Sequence, residues 1–346
     1  SKLLNFKMNF PFIKESVNDS LAFFIFRISL VSLGIIANSV LFSFVCVERI
    51  GSTKSSILVR LQTIVDILTL ASVILAMFTH QSQINFGSYV TYEIYCRVFH
   101  TNYLFWFTMV FSGYILLLTS VDRFIVVVFP FKYREFKVSR YRIGIAAVFT
   151  ISFLLLLPVF WETSVISDNN SSIKILTQTT NSYKCQFVWE SDTFSSFWKA
   201  YSYLWLTFSY FLPAIVMILL YSKIIFSLNS NKNVASDKTQ NIKKNISMKF
   251  TISSIIIFIF YIATYSADSI IYILNMMGKL DFQDADKYYY FCNFSLGINA
   301  MVNPFVYLIL INNFRRYVVR ILTCDVKSSQ LEYSKSITEN VNKLNE

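Results

Sequence analysis

The sequence predicts an all-α membrane protein: a seven-transmembrane-helix bundle with a short amphipathic eighth helix. Three observations carry that prediction. Hydrophobic residues make up 55% of the 346 and charged residues only 15%, against about 25% charged in a soluble domain. The charges are clustered, leaving seven long stretches nearly free of them. Lys and Arg also crowd into alternate connections, 21 of the 31 on one side of the threading and ten on the other. With seven Gly and five Pro, the chain lacks the composition of collagen-like or low-complexity sequence.

A helix needs about 20 mostly apolar residues to cross ~30 Å of hydrocarbon. The first stretch lies between Arg27 and Glu48, in an apolar run that begins near Leu21 and is too long for a signal-peptide core. The second runs from Arg60 to Glu93, with Asp66 as its one charge. The third fills Arg97 to Asp122, the fourth Arg142 to Glu162, and the fifth Lys199 to Lys223. The sixth passes from Lys249 through Asp268 toward Lys279, and the seventh from Lys287 to Arg315. None alternates with period two, so helices are expected rather than barrel strands. Residues 314–322 are amphipathic and Arg-rich, as suits a helix lying on the membrane surface. The expected plan is an N-terminal segment at 1–20, the bundle at 21–311, the surface helix at 312–324 and a tail at 325–346.

The basic connections should face the cytoplasm, which places the N-terminus outside and the C-terminus inside, in the plasma membrane. The Asn-x-Ser sequons at Asn18, Asn169 and Asn170 fall on the outer side as glycosylation candidates. The net charge of +11 then reflects topology and attraction to anionic lipid rather than nucleic-acid binding.

Enzyme signals are missing. His80 and His100 are not spaced as a metal pair, and GxGxxG, GxxxxGK and GxSxG are all absent. No catalysis and no cofactor are expected, apart from an allosteric sodium ion considered below. A transporter would show a repeat or a pair of Gly/Pro-broken spans, which the chain lacks.

The third span ends Val121-Asp122-Arg123-Phe124, followed by Phe129-Pro130-Phe131, and the seventh contains Asn303-Pro304-Phe305-Val306-Tyr307. These stretches resemble the DRY and NPxxY motifs of rhodopsin-like (class A) G-protein-coupled receptors, and the resemblance covers residues 21–324. Asn38, Asp66, Pro213, Tyr221 and Phe314-Arg315-Arg316 match further family markers. The chain is most similar to invertebrate neuropeptide receptors. It departs from the family in four places. Span three ends in Asp-Arg-Phe, span four has Val148 or Phe149 in place of a tryptophan, and span six has neither CWxP nor any proline. Cys96 also stands about two residues farther from Asp122 than is typical, as a bulge in span three would explain.

The resemblance implies that Asp122, Arg123, Tyr221, Asn303, Pro304 and Tyr307 form the switch that couples to a heterotrimeric G protein. It also brings Asp66, Ser112, Asn299 and Asn303 together. A charged residue inside a span costs at least about 2.5 kcal/mol at the bilayer centre, and a carboxylate ringed by neutral oxygens suits a hard monovalent cation. That is the expected sodium site, against the alternative of a protonated Asp66 bonded to Asn38 and Asn303. Cys96, Cys185 and Cys292 could all face outward, which leaves three pairings open; the resemblance implies Cys96 with Cys185. Cys324 is a palmitoylation candidate. Tail residues such as Ser334 and Ser336 could be phosphorylated and bind arrestin.

Amine receptors of the family carry an aspartate where this chain has Phe105, and retinal receptors a lysine where it has Gly297. A peptide ligand is therefore expected, with Phe105, Trp205, Tyr265 and Asp268 as candidate contacts under a long second outer loop. A small non-peptide ligand, a seven-helix chemoreceptor or ligand-gated channel, and a non-signalling scaffold are the alternatives.

Overall fold

The computed structural model describes residues 21–48, 52–79, 88–167, 183–187, 195–230, 238–277 and 285–323. The first two spans are α1 (Leu21–Val47) and α2 (Thr53–Thr79). The third is interrupted: α3 (Tyr89–Ile94) passes into a π-helical turn at Tyr95–His100, and α4 (Tyr103–Val128) restarts after it. Short α5 (Pro130–Glu135) leads to the fourth span, α6 (Val138–Leu156), which tightens into a 3-10 turn at Leu157–Trp161. Strands β1 (Thr163–Ser167) and β2 (Tyr183–Phe187) then pair antiparallel, with Val165 opposite Cys185.

The fifth span is α7 (Ser195–Leu206), a π turn at Thr207–Phe211 and α8 (Leu212–Ser230). The sixth is α9 (Lys238–Met276) and the seventh α10 (Ala285–Leu310). After Ile311 the chain bends by 100° into α11 (Asn312–Leu322). The architecture is the predicted helical bundle. α4 packs against α2, α6, α8 and α9, while α10 closes against α9, α1 and α2.

The bundle exposes apolar side chains and buries polar ones within an apolar core. Phe26, Ile36, Ile143, Phe226 and Ile309 are exposed, whereas Asn38, Asp66, Thr108, Ser112, Ser120, Asn299 and Asn303 are buried. That arrangement is what hydrocarbon solvent demands, because interior polar groups must be satisfied by neighbouring helices. Thr69 and Ser152 each bond the carbonyl four residues back and need no distant partner.

The prolines show how freed carbonyls are used. Pro304 lacks the N–H that would bond the carbonyl of Ala300, and Asn38 on α1 supplies it, Nδ2 donating to Ala300 O at 3.0 Å. Gly34, one turn earlier, lets α1 approach: a Cβ there would come within 2.5 Å of Met301 Cγ. In the fifth span, the π turn and Pro213 leave two carbonyls exposed to the core. Tyr114 of α4 donates to Phe208 O at 2.8 Å, and Tyr261 of α9 reaches Ser209 O at 3.5 Å. α9 runs without a proline.

The third span's extra residues are taken up by the π turn, which is wider than an α turn, and by Thr101–Asn102. Asn102 has φ 51°, ψ 39°, a left-handed conformation that asparagine tolerates better than most residues. The displacement places fully buried Cys96 beside β2, and Cys96 is disulfide-bonded to Cys185 across 89 residues, with Cα atoms 5.5 Å apart. Thr163 of β1 donates to Cys96 O at 3.2 Å, adding a second tie. Replacing Cys96 and Cys185 together by serine should cost about 2–4 kcal/mol by freeing the open chain. A lowered thermal midpoint in detergent would report that cost, and non-reducing peptide mapping of the parent should show Cys96 linked to Cys185 rather than to Cys292.

Candidate functional site

Two buried polar nodes occupy the bundle, one near its middle and one at the end carrying the basic connections. The first centres on Asp66 of α2, which is 0% exposed. Ser112 of α4 donates to its Oδ1 at 3.2 Å, Gln62 Nε2 donates to the same oxygen at 2.9 Å, and Asn303 of α10 donates to Oδ2. Three helices therefore converge on one carboxylate. Gln62 Nε2 also donates to Ser112 Oγ at 2.5 Å. Asn299 stands one turn from Asn303 on α10.

Two buried amide oxygens of α10, Oδ1 of Asn299 and Oδ1 of Asn303, have no hydrogen-bond partner among the described residues. A buried amide oxygen left unpaired is costly. A carboxylate, a hydroxyl and spare amide oxygens form the hard-oxygen donor set that suits a small cation. The residues fit the sodium expected from the sequence.

The second node joins Asp122 and Arg123 at the end of α4, both buried. Arg123 Nε donates to Asp122 Oδ2 at 3.1 Å, and its Nη2 pairs with the same oxygen and bonds Ser55 Oγ. Ser55 of α2 donates to Asp122 Oδ2 at 2.9 Å, and Tyr141 of α6 donates to Oδ1 at 2.5 Å. The guanidinium lies 4.3 Å from the ring centre of Phe250 on α9, a cation–π contact worth about 2 kcal/mol or more when desolvated. Phe250 in turn stacks on Tyr307 of α10, centroids 5.9 Å apart. Tyr221 of α8 accepts from Ser120 at 2.9 Å and packs on Phe258 at 5.0 Å. At this end Tyr133 of α5 bonds Ser52, and Lys54 donates to Tyr133 O at 2.7 Å. Burial, and then the charge of Asp122, push the Tyr133 phenol above its ordinary pKa, so it stays a proton donor at neutral pH.

Level with the first node and on its hairpin side runs a column of tyrosines. Tyr261 and Tyr265 of α9 are 4.0 Å apart by ring centres, and Tyr210 stacks on Tyr265 at 6.2 Å. Tyr265 donates to Met109 O of α4 at 2.9 Å, and Tyr210 shares a hydrogen bond with Ser266. Gly113 makes room for this column, since a Cβ there would meet the Tyr261 ring at 3.3 Å.

Toward the hairpin end, Phe105 is buried edge-on to Trp106, which meets Trp205 at 6.2 Å. Asp268 is half-buried one turn beyond Tyr265, within electrostatic reach of the Tyr265 and Tyr272 phenols. Of the expected ligand contacts, Phe105 and Trp205 thus share one aromatic cluster, and the Tyr265 hydroxyl is already committed to Met109. Asn18, Asn169, Asn170 and Cys324 lie outside the described residues. Gln62, Ser55, Tyr141 and Phe250 joined the nodes without any sequence signal, since each is an ordinary residue type marked by no motif.

The sequence profile of the family described as 7 transmembrane receptor (rhodopsin family) matches residues 37–307. Among curated proteins, the chain is 22% identical over 307 residues to galanin receptor type 1 of Homo sapiens, covering 88% of this chain and 82% of that protein. It is 21% identical over 298 residues to galanin receptor type 1 of Rattus norvegicus, covering 85% and 80%. With the tachykinin-like peptides receptor 86C of Drosophila melanogaster it shares 25% over 256 residues, covering 72% and 47%.

Proposed function

The chain belongs to the rhodopsin family of seven-transmembrane receptors, and from that premise we propose that it is a plasma-membrane receptor for a neuropeptide. It is a G-protein-coupled receptor and not an enzyme, so the channel, chemoreceptor and scaffold alternatives fall away. The peptide reading is supported by relatives named for galanin and for tachykinin-like peptides. The hairpin end faces outward in this reading and the basic end faces the cytoplasm. The N-terminus is then extracellular, with the sequons at Asn18, Asn169 and Asn170 on the glycosylated side. Arrestin and anionic lipid are further partners at the inner face, with Cys324 as a lipid anchor.

The observation that carries the receptor reading is the buried Asp122–Arg123 pair under Phe250. Asp122 and Ser55 hold the guanidinium from one side, and the Phe250 ring covers it from α9. Moving α9 outward uncovers Arg123 for Tyr221, Tyr307 and the docking G protein, a two-state element that a ligand can bias. Phe131, 82% exposed on α5, adds an apolar contact at the same end. Among the described residues no acidic group of α9 pairs with Arg123, and the aromatic ring covers it instead.

Screening a peptide library that includes galanin-like and tachykinin-like sequences, with a promiscuous G-protein reporter, tests the reading directly. A response to no peptide at confirmed surface expression would overturn the ligand class. Arg123→Ala should abolish stimulated nucleotide exchange with ligand affinity within about twofold of the parent, while Phe250→Ala should raise basal exchange severalfold by uncovering the guanidinium. Unchanged basal exchange in the second variant would show that Phe250 holds nothing closed.

Asp66, Ser112, Asn299 and Asn303 would hold sodium, which supplies a positive counter-charge to the buried carboxylate. Asp66→Asn should then remove the sodium dependence of agonist binding, read as matched affinities in sodium and choline buffers. At the outer end, Asp268 would pair with a cationic group of the peptide. Losing one side of a desolvated pair costs about 2–5 kcal/mol, so Asp268→Asn should weaken a basic agonist by more than about tenfold at matched surface expression. An unchanged concentration–response curve would assign Asp268 to its tyrosine neighbours instead.

A further inference from the structure

Gln62 lies one turn before Asp66 on α2, so the two side chains project from the same face of the helix. Its Nε2 is 2.9 Å from Asp66 Oδ1 and 2.5 Å from Ser112 Oγ, and those two oxygens are 3.2 Å from each other. The amide nitrogen thus meets at once the carboxylate and the hydroxyl that a cation in this pocket would need as ligands. Its orientation is dictated by charge. Turned over, Oε1 would face a carboxylate oxygen, acceptor against acceptor.

We propose that Gln62 is a tethered competitor for the Asp66 cation site, its amide NH2 standing in for the ion between α2 and α4. The inference rests on the sodium reading of that pocket and adds what sets the ion's affinity. A neutral amide brings two polarised N–H bonds to oxygens that would otherwise be buried without counter-charge, and it does so without leaving the protein. Sodium can engage Asp66 Oδ1 and Ser112 Oγ together only after the amide has left both. The ion must therefore displace a hydrogen bond to a carboxylate, stronger than one between neutral groups, before it gains its own contacts. The receptor should respond to sodium only at high concentration, with the threshold written into residue 62.

The test uses the full-length receptor purified without ligand in detergent, its thermal midpoint followed against NaCl with choline chloride holding ionic strength constant. Binding to the folded state raises the midpoint in proportion to occupancy, so the curve reports sodium affinity without reference to signalling. Gln62→Met keeps the length of the side chain and removes both donors; Gln62→Leu removes them with a shorter chain. In each, half-maximal stabilisation should move to a sodium concentration lower by at least about tenfold, equivalent to roughly 1.4 kcal/mol. Adding Asp66→Asn to either should abolish the response. A sodium midpoint equal to the parent's, or higher as for a lost ligand, in both Gln62 variants would overturn the competitor while leaving the cation site standing. No sodium dependence in the parent or in any variant would overturn both.

Discussion

The Asp66 carboxylate is the constraint from which most of the interior follows. It sits fully buried in a bundle whose outer surface is hydrocarbon-facing, where water is not available to solvate it. Donors must therefore come from other helices, and they do, from Ser112 on α4 and Asn303 on α10 as well as Gln62 on its own helix. Holding those donors in reach fixes the relative rotation of α2, α4 and α10. Asn303 stands beside Pro304 on α10, and the carbonyl that Pro304 frees is met by Asn38 of α1. One buried carboxyl group thus links four helices.

The same logic repeats at the basic end with a different outcome. Asp122 is satisfied by Arg123, Ser55 and Tyr141, so α2, α4 and α6 are held together there, but α9 contributes no hydrogen bond to this pair among the described residues. It contributes the face of Phe250. A ring can slide off a guanidinium without leaving an unpaired donor or acceptor on α9, whereas breaking a buried ion pair would strand a charge on each helix. In the proposed switch α9 is the helix that moves, and at this end its contact with Arg123 strands no charge when it breaks. α9 is tied more firmly higher up, where Tyr265 and Tyr261 bond backbone carbonyls of α4 and the fifth span. In the proposed switch the tyrosines would be its pivot and Phe250 its moving end.

Much of this was legible in the sequence, and the divide between what was and what was not has a physical cause. The spans were legible because excluding charge from hydrocarbon leaves long gaps between charged residues, and the fold follows from those gaps. Asp66 was legible because ionisable residues are rare inside spans and therefore conspicuous, and Arg123, Asn303 and Pro304 because they stand in stretches that resemble motifs of the family. Gln62, Ser55, Tyr141 and Phe250 were not, since in a chain with 35 Phe and 21 Tyr no single ring announces itself. Nor can spacing alone say which rotation of α9 brings Phe250 over Arg123. The shift of Cys96 was visible as a count, but its form, a π turn followed by left-handed Asn102, depended on Cys96 having to meet β2.

The missing proline of the sixth span finds its explanation in the fifth. A proline in α9 would kink it and open its backbone toward the core. Here the irregularity sits instead at Thr207–Phe211 and Pro213, and the carbonyls it releases at Phe208 and Ser209 are met by tyrosine hydroxyls from α4 and α9. Phenylalanine at 114 or 261, or tryptophan at 265, could not reach those carbonyls or Met109 O with an oxygen donor. The tyrosines of α9 and the π turn of the fifth span are therefore one device: an uninterrupted sixth helix bonded to a fifth that carries a π turn. A change that regularised the fifth span would strand the hydroxyls of Tyr114 and Tyr261 in a dry core, where each unmet group costs about 1–3 kcal/mol.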